Sequence, residues 1–130
     1  MRIIRCRKIS SGRAEGLTLF SPVPISFFGT IDPETSTVIE KNHPLYGERI
    51  AGKILIYPTG RGSTVGSYVL YGLSRRGLSP KAIIMRDAEP IVAVGAIMSD
   101  IPLVDKPDSF DFKSGLHVIV DADRGEIILP

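Results

Sequence analysis

The chain has 130 residues, 43% of them hydrophobic, with sixteen Lys/Arg against fourteen Asp/Glu and a formal charge of +2. That length suits one domain, residues 1–130, with a real core; the near balance of charge, without any Lys/Arg-rich block, argues against a nucleic-acid binder. The longest apolar run, residues 91–98, is too short to span a membrane, "MRIIRCRKIS" lacks the apolar centre of a signal peptide, and one cysteine, Cys6, excludes an intrachain disulfide and a self-contained cysteine metal site. A cytoplasmic protein is expected, bound to neither nucleic acid nor membrane.

Residues 2–9, "RIIRCRKI", mix β-branched and basic side chains and read as a strand. "GLTLF", 16–20, is a second strand, with Leu17 and Leu19 on one face. Residues 21–48 are irregular, with four prolines and two glycines and only "TVI" strand-like. A loop of this length in a compact domain is either functional or disordered, and Phe27, Phe28 and Ile31 argue against disorder. It is a candidate partner surface; the alternative is a loop packed on its own domain.

"GKILIYP", 52–58, is a strand, and residues 63–77 read as a helix. Val65, Val69 and Leu73 recur at i, i+4, i+8 and predict its packed face. Arg75 and Arg76 lie in its last turn, and Gly77 is a natural stop. "KAIIM", 81–85, is the next strand, so strand, helix and strand form a crossover between parallel strands. Residues 90–98 read as a short buried helix opening at Pro90, or else a strand. "IPLV", "LHVIVDA" and "EIILP" are late strands, the last two joined by a turn at Asp123-Arg124-Gly125. The sum is a β-rich α/β layer structure.

The stretch "GRGSTVGS", 60–67, lies between the strand 52–58 and the helix after it. Helix N-terminal N–H groups point outward unpaired, and the helix dipole adds positive charge there. Gly60 and Gly62 let the backbone converge on an anion, and Arg61 adds a forked cation. Equally, Ser63 or Thr64 serves as a plain N-cap, which needs no function. A P-loop is excluded because no lysine precedes Gly66-Ser67 in register. A dinucleotide fingerprint, Gly60-x-Gly62-x-x-x-Gly66 with Asp87 further on, lacks the doubly wound sheet that should accompany it. A serine hydrolase would need His43 or His117 with a carboxylate such as Asp32, but the G-x-S-x-G elbow is missing. His43, His117 and Cys6 have no metal-ligand spacing.

The run "PISFFGTIDPETSTVIEKNHPLYGERIAGKILIYPTGRGSTVGSYVL" resembles the small subunit of aconitase X proteins. The resemblance covers nearly the whole chain and rests on Ser26-Phe27-Phe28-Gly29, Asp32-Pro33-Glu34-Thr35, His43-Pro44-Leu45, Gly47-Glu48 and Gly60-Arg61-Gly62-Ser63. The chain departs at Phe28, where tryptophan is expected, and at Thr30 and Ser36, where glycine is expected. The resemblance implies a swivelling β/β/α domain like the mobile domain of aconitase. It implies a heterodimer with a large aconitase X-like subunit that carries an iron–sulfur cluster of the 4Fe–4S type, none being bound by this chain. It implies a small phosphorylated hydroxy-acid substrate, with Ser63 as the serine that takes the proton, and dehydration of (R)-5-phosphomevalonate to trans-anhydromevalonate 5-phosphate in an archaeal mevalonate route. A related branch dehydrates cis-3-hydroxy-L-proline. Arg61, Gly62 and Thr64 are then candidate substrate contacts, and Ser26, Phe27, Asp32 and His43 candidate interface or motif residues. Against this hydro-lyase stand a non-catalytic nucleotide- or phosphate-binding module and a purely structural subunit in which Ser63 only caps a helix.

Overall fold

A computed structural model describes residues 1–130. In chain order the strands are β1 (Arg2–Arg5), β2 (Arg7–Ser10), β3 (Arg13–Phe20), β4 (Ile54–Tyr57), β5 (Ala82–Met85), β6 (Leu103–Asp105), β7 (His117–Asp121) and β8 (Glu126–Leu129). Between them lie a single turn α1 (Phe27–Thr30) and the helices α2 (Val65–Arg75) and α3 (Pro90–Met98). Residues 2–9, expected as one strand, are two: β1 and β2 meet at Cys6 but occupy opposite ends of the order β1-β8-β7-β3-β4-β5-β6-β2.

β1 runs antiparallel to β8 with Arg2 opposite Leu129, and β2 antiparallel to β6 with Arg7 opposite Asp105. A sheet whose two outermost strands are consecutive in the chain closes on itself, so the bend at Cys6 removes the free edges that an open sheet must protect. The Cys6 N–H is bonded to the Gly125 carbonyl at 3.0 Å, in the turn between β7 and β8. The Arg7 fork holds the fully buried Asp105 carboxylate at 2.8 and 2.9 Å across the β2–β6 pair.

β3, β4, β5 and β6 run parallel in the middle of the ring, and α2 makes the expected crossover from β4 to β5. Strands covered on both faces read as continuous apolar runs, and β4 and β5 are such runs. Ile54, Ile56, Ala82 and Ile84 join Val118, Val120 and Ile127 inside the ring. The alternate residues Leu55, Tyr57, Ile83 and Met85 pack outward beneath α2, α3 and the 21–50 segment. The result is a β/β/α stack with one core inside the ring and another under the helices.

The packed face of α2 differs from expectation. Val65 is 42% exposed, and the buried residues are Gly66, Ser67, Leu70 and Leu73. Small residues set this face. A Cβ at Gly95 of α3 would stand 3.1 Å from the Ser67 Cα, so the two helices approach through Ser67 and Gly95 and turn Val65 outward. Apolar spacing alone overlooks such a stripe.

Residues 21–50 contain little regular structure, and Phe28 and Gly29 within α1 have non-helical dihedrals. The segment is nonetheless nailed down: Ile25, Phe27, Ile31, Val38, Leu45 and Ile50 all enter the outer core. The Arg76 guanidinium at the end of α2 donates to the Pro33 carbonyl at 3.0 Å. No helix is long and apolar enough to cross a membrane.

Candidate active site

β4 delivers the chain to the loop 58–64, and an isolated bridge between Ile25 and Gly60 brings the 21–50 segment alongside. Ser63 closes that loop. Its Oγ accepts the Val65 N–H at 3.0 Å, and its carbonyl accepts the Gly66 N–H at 3.0 Å. Thr64 already has helical dihedrals and its side chain makes no capping bond. The capping oxygen is therefore that of Ser63. The same bond places a helix N–H donor on that oxygen, at the end of α2 where the dipole favours negative charge.

The glycines have separate jobs. Gly62 takes φ of +101°, and a Cβ there would come within 2.8 Å of the Ser26 Oγ. Both the positive φ and the close approach call for glycine. Gly60 has an ordinary φ, but a Cβ on it would overlap the Glu89 carboxylate. Glu89 in turn caps α3, accepting from Ile91 N–H at 2.7 Å and Val92 N–H at 2.9 Å, with Pro90 in the first helical turn.

Arg61 is paired within the chain. Its Nη2 donates to both Glu40 oxygens, at 2.5 and 2.7 Å, and the Thr30 hydroxyl donates to Glu40 Oε1 at 2.6 Å. Thr30 Oγ1 accepts the Ser26 N–H at 3.1 Å, so one chain of bonds ties Arg61 to the start of α1. The Thr30 hydroxyl, and after it the Arg61 guanidinium, hold the Glu40 carboxyl below its usual range. The threonine that replaces the expected glycine thus supplies a hydroxyl to this network. The other departure, Ser36, adopts φ of +69°, the conformation that glycine takes readily.

Two cavities meet at this loop. An open groove of about 420 Å³ is lined by Ser26, Phe28, Thr30, Glu40, Arg61 and Gly62. Deeper in, a cavity of about 10 Å³ lies among Ser26, Tyr57, Arg61, Ser63 and Glu89. Ser26, Arg61, Gly62 and Ser63, predicted separately, are therefore brought together. Thr64 is turned away from them, beside Tyr68, Pro90 and Val94 on the outer side of α2 and α3.

Of the remaining candidates, Phe27, 5% exposed, backs the inner cavity, and His43, 6% exposed, borders a separate open hollow with Lys41, Asn42 and Tyr46. His43 Nδ1 accepts the Leu45 N–H at 3.0 Å, which shapes the 43–46 turn. Asp32 Oδ1 accepts the Glu34 N–H at 2.9 Å, a turn role that lowers its pKa. Asp87 pairs with Lys106 at 2.8 Å on the surface, and His117 sits 3.4 Å from Glu15 on β3. Neither stands in the loop. Three residues that spacing had not singled out complete the site: Glu40, Tyr57 and Glu89. Only Glu89 carried a readable signal, since a capping side chain followed by proline marks a helix start.

No group of three or more His, Cys, Asp or Glu side chains is disposed to hold a metal ion. Burial first, then the charges of Asp105 and Asp108, push the Cys6 thiol up to about 11, the reverse of what a thiolate ligand needs.

The sequence profile of the aconitase X swivel domain matches residues 3–129. The chain belongs to the aconitase X swivel-domain family. Relatives in this family include the phosphomevalonate dehydratase small subunit of Methanothrix thermoacetophila, 54% identical over 98% of this chain and 94% of its own. The subunit of the same name from Thermococcus kodakarensis is 52% identical over 95% of this chain and 93% of its own. Among solved structures, the holo-form crystal structure of Thermococcus kodakaraensis aconitase X superposes with a TM-score of 0.97 at 50% identity, covering 100% of this chain and 99% of that one. A solution NMR structure of a UPF0107 protein gives a TM-score of 0.91 at 47% identity over 99% of both chains. The β/β/α stack described above is thus the aconitase X swivel architecture, as its sequence resemblance implied.

Proposed function

We propose that this chain is the small subunit of a two-chain hydro-lyase that dehydrates (R)-5-phosphomevalonate to trans-anhydromevalonate 5-phosphate, with Ser63 as the proton acceptor. The observation that carries the reading is whole-length similarity to subunits bearing that name, joined to a serine oxygen already served by a helix N–H. A serine hydroxyl is a weak base unless its alkoxide is stabilised. The Val65 N–H and the positive end of α2 are preorganised for that negative charge. In the proposed step the Ser63 alkoxide takes the proton from the carbon beside the substrate carboxylate, a double bond forms, and the hydroxyl leaves from the next carbon.

The donor set of this chain does not fit an iron–sulfur cluster, because clusters are held by several thiolates and Cys6 stands alone. A 4Fe–4S cluster belongs, in this reading, to the large subunit. Arg61, whose Nη2 is held by Glu40, contacts the substrate's anionic groups through its remaining N–H donors, and Gly62 leaves room for that approach. The partner then sits over the mouth of the groove and the rest of the 21–50 segment, where Phe28, Ile39 and Tyr46 are exposed at 56%, 47% and 58%.

The second reading, favoured by the Ser63–Val65 bond itself, is that Ser63 only caps α2. Ser63→Gly separates the two, because glycine is a tolerable cap but has no hydroxyl. Assayed as the complex with its large subunit, the variant is expected to assemble normally and to lose about 100- to 10,000-fold in turnover. Near-normal turnover would leave Ser63 as a cap.

A further inference from the structure

Tyr57, the last residue of β4, is fully buried, and its hydroxyl has no hydrogen-bond partner in the protein. Buried hydroxyls are normally satisfied, so an orphan points to a partner that is not protein. Tyr57 lines the cavity of about 10 Å³ that also touches Ser63 and Glu89, and the Glu89 charge acts on its phenol. That volume holds one water, and a buried water makes about three hydrogen bonds. The walls offer them. Each Glu89 oxygen accepts one N–H and keeps a lone pair free. The Ser63 oxygen accepts from Val65 alone.

We propose that Tyr57 is a positioning residue for Ser63. Its hydroxyl donates to a single water in this cavity, and that water donates one proton to Glu89 and the other to Ser63 Oγ. The assignment rests on the reading of Ser63 as the base. Tyr57 has a hydroxyl that stays protonated, since burial, and after it the charge of Glu89, raise its pKa. Glu89 takes up one water proton, so the other faces Ser63. The serine oxygen then holds two donors, the Val65 N–H and the water, aimed where the alkoxide charge develops. The Phe27 ring, edge-on to Tyr57 at a centroid distance of 6.5 Å, fixes the phenol's direction.

The test is Tyr57→Phe, which keeps the ring and removes only the hydroxyl. In the complex with the large subunit, kcat on 5-phosphomevalonate is expected to fall roughly 10- to 100-fold with KM little changed. The ascending, low-pH limb of the kcat–pH profile should move to higher pH, because the alkoxide loses a donor and the base becomes harder to deprotonate. Wild-type kcat and an unmoved profile would overturn the proposal. A high-resolution crystal structure of the wild-type chain provides a check independent of turnover. It should show one ordered water within hydrogen-bond reach of Tyr57 Oη, lost in Tyr57→Phe together with a shift in the Val65 amide resonance. A wild-type cavity without that water overturns the proposal whatever the kinetics. If Ser63→Gly retains turnover, the base assignment falls instead. The water and the Val65 resonance then still decide whether Tyr57 holds the Ser63 loop.

Discussion

Replacing Gly60 by alanine tests the packing of the loop on α3. Gly60 does not use a positive φ, so alanine fits its backbone and only space is at issue. The added Cβ would overlap Glu89 Oε1 and lie 2.9 Å from Cδ and 3.0 Å from Cγ. Glu89 cannot shift locally, because both oxygens are engaged by the Ile91 and Val92 amides. The carboxylate must therefore leave, and α3 loses its cap at a cost of about 0.5–2 kcal/mol. For 130 residues the unfolding entropy makes 1 kcal/mol equivalent to about 4 °C, so a fall of about 2–7 °C is expected by calorimetry. Glu89→Ala alone should produce a fall of similar size. The double variant should be no worse than Glu89→Ala. It should even recover about 0.4–1 kcal/mol, because alanine stiffens the unfolded chain once nothing obstructs it. Additive losses in the double variant, or an unchanged melting point for Gly60→Ala, would refute the argument.

Leu70→Ala empties a fully buried site between α2 and the sheet and should cost about 2–5 kcal/mol in denaturant unfolding; a loss under 1 kcal/mol would show that the helix layer is loosely seated. Glu40 has a depressed pKa, so its contribution to stability is complete above the ordinary 4.5 and fades as pH falls through the lower folded value. Thr30→Val should move the Glu40 carboxyl titration back up, by carbon-13 NMR, and further than Arg61→Gln does; the reverse order contradicts the network described. The isolated chain should fold yet give no turnover. On adding the large subunit, hydrogen exchange should slow around Phe28, Ile39 and Tyr46, and protection confined to β7 and β8 would place the partner elsewhere.

The parts of this fold that local chemistry controls were readable in the chain. The apolar runs of β4 and β5, the glycine-rich turn and the helix that follows all emerged from spacing and turn residues. What escaped depends on residues far apart in sequence. Nothing near Arg61 announces that its Nη2 is held by Glu40, twenty-one positions earlier. Residues 2–9 gave no sign of the bend at Cys6, because the bend is imposed by β8 on one side and β6 on the other. Phe27 lies in a segment rich in proline and aromatics that suggested surface, but its side chain turns inward against Tyr57. The face of α2 was missed because Gly66 and Ser67 are buried for being small, a quality that hydrophobic periodicity does not register.

The pairing of Arg2 with Leu129 ties the order of synthesis to the order of folding. While the ribosome is still making the chain, β2 can find β6 and the parallel strands can assemble, but β1 has no neighbour until β8 emerges. During that interval the growing chain carries an open seam with unpaired backbone groups, the kind of edge that invites pairing with another nascent copy. β8 is the strand that seals it. A contact between strands so far apart in the chain is also slow to find, so this seam is the last part of the ring to close.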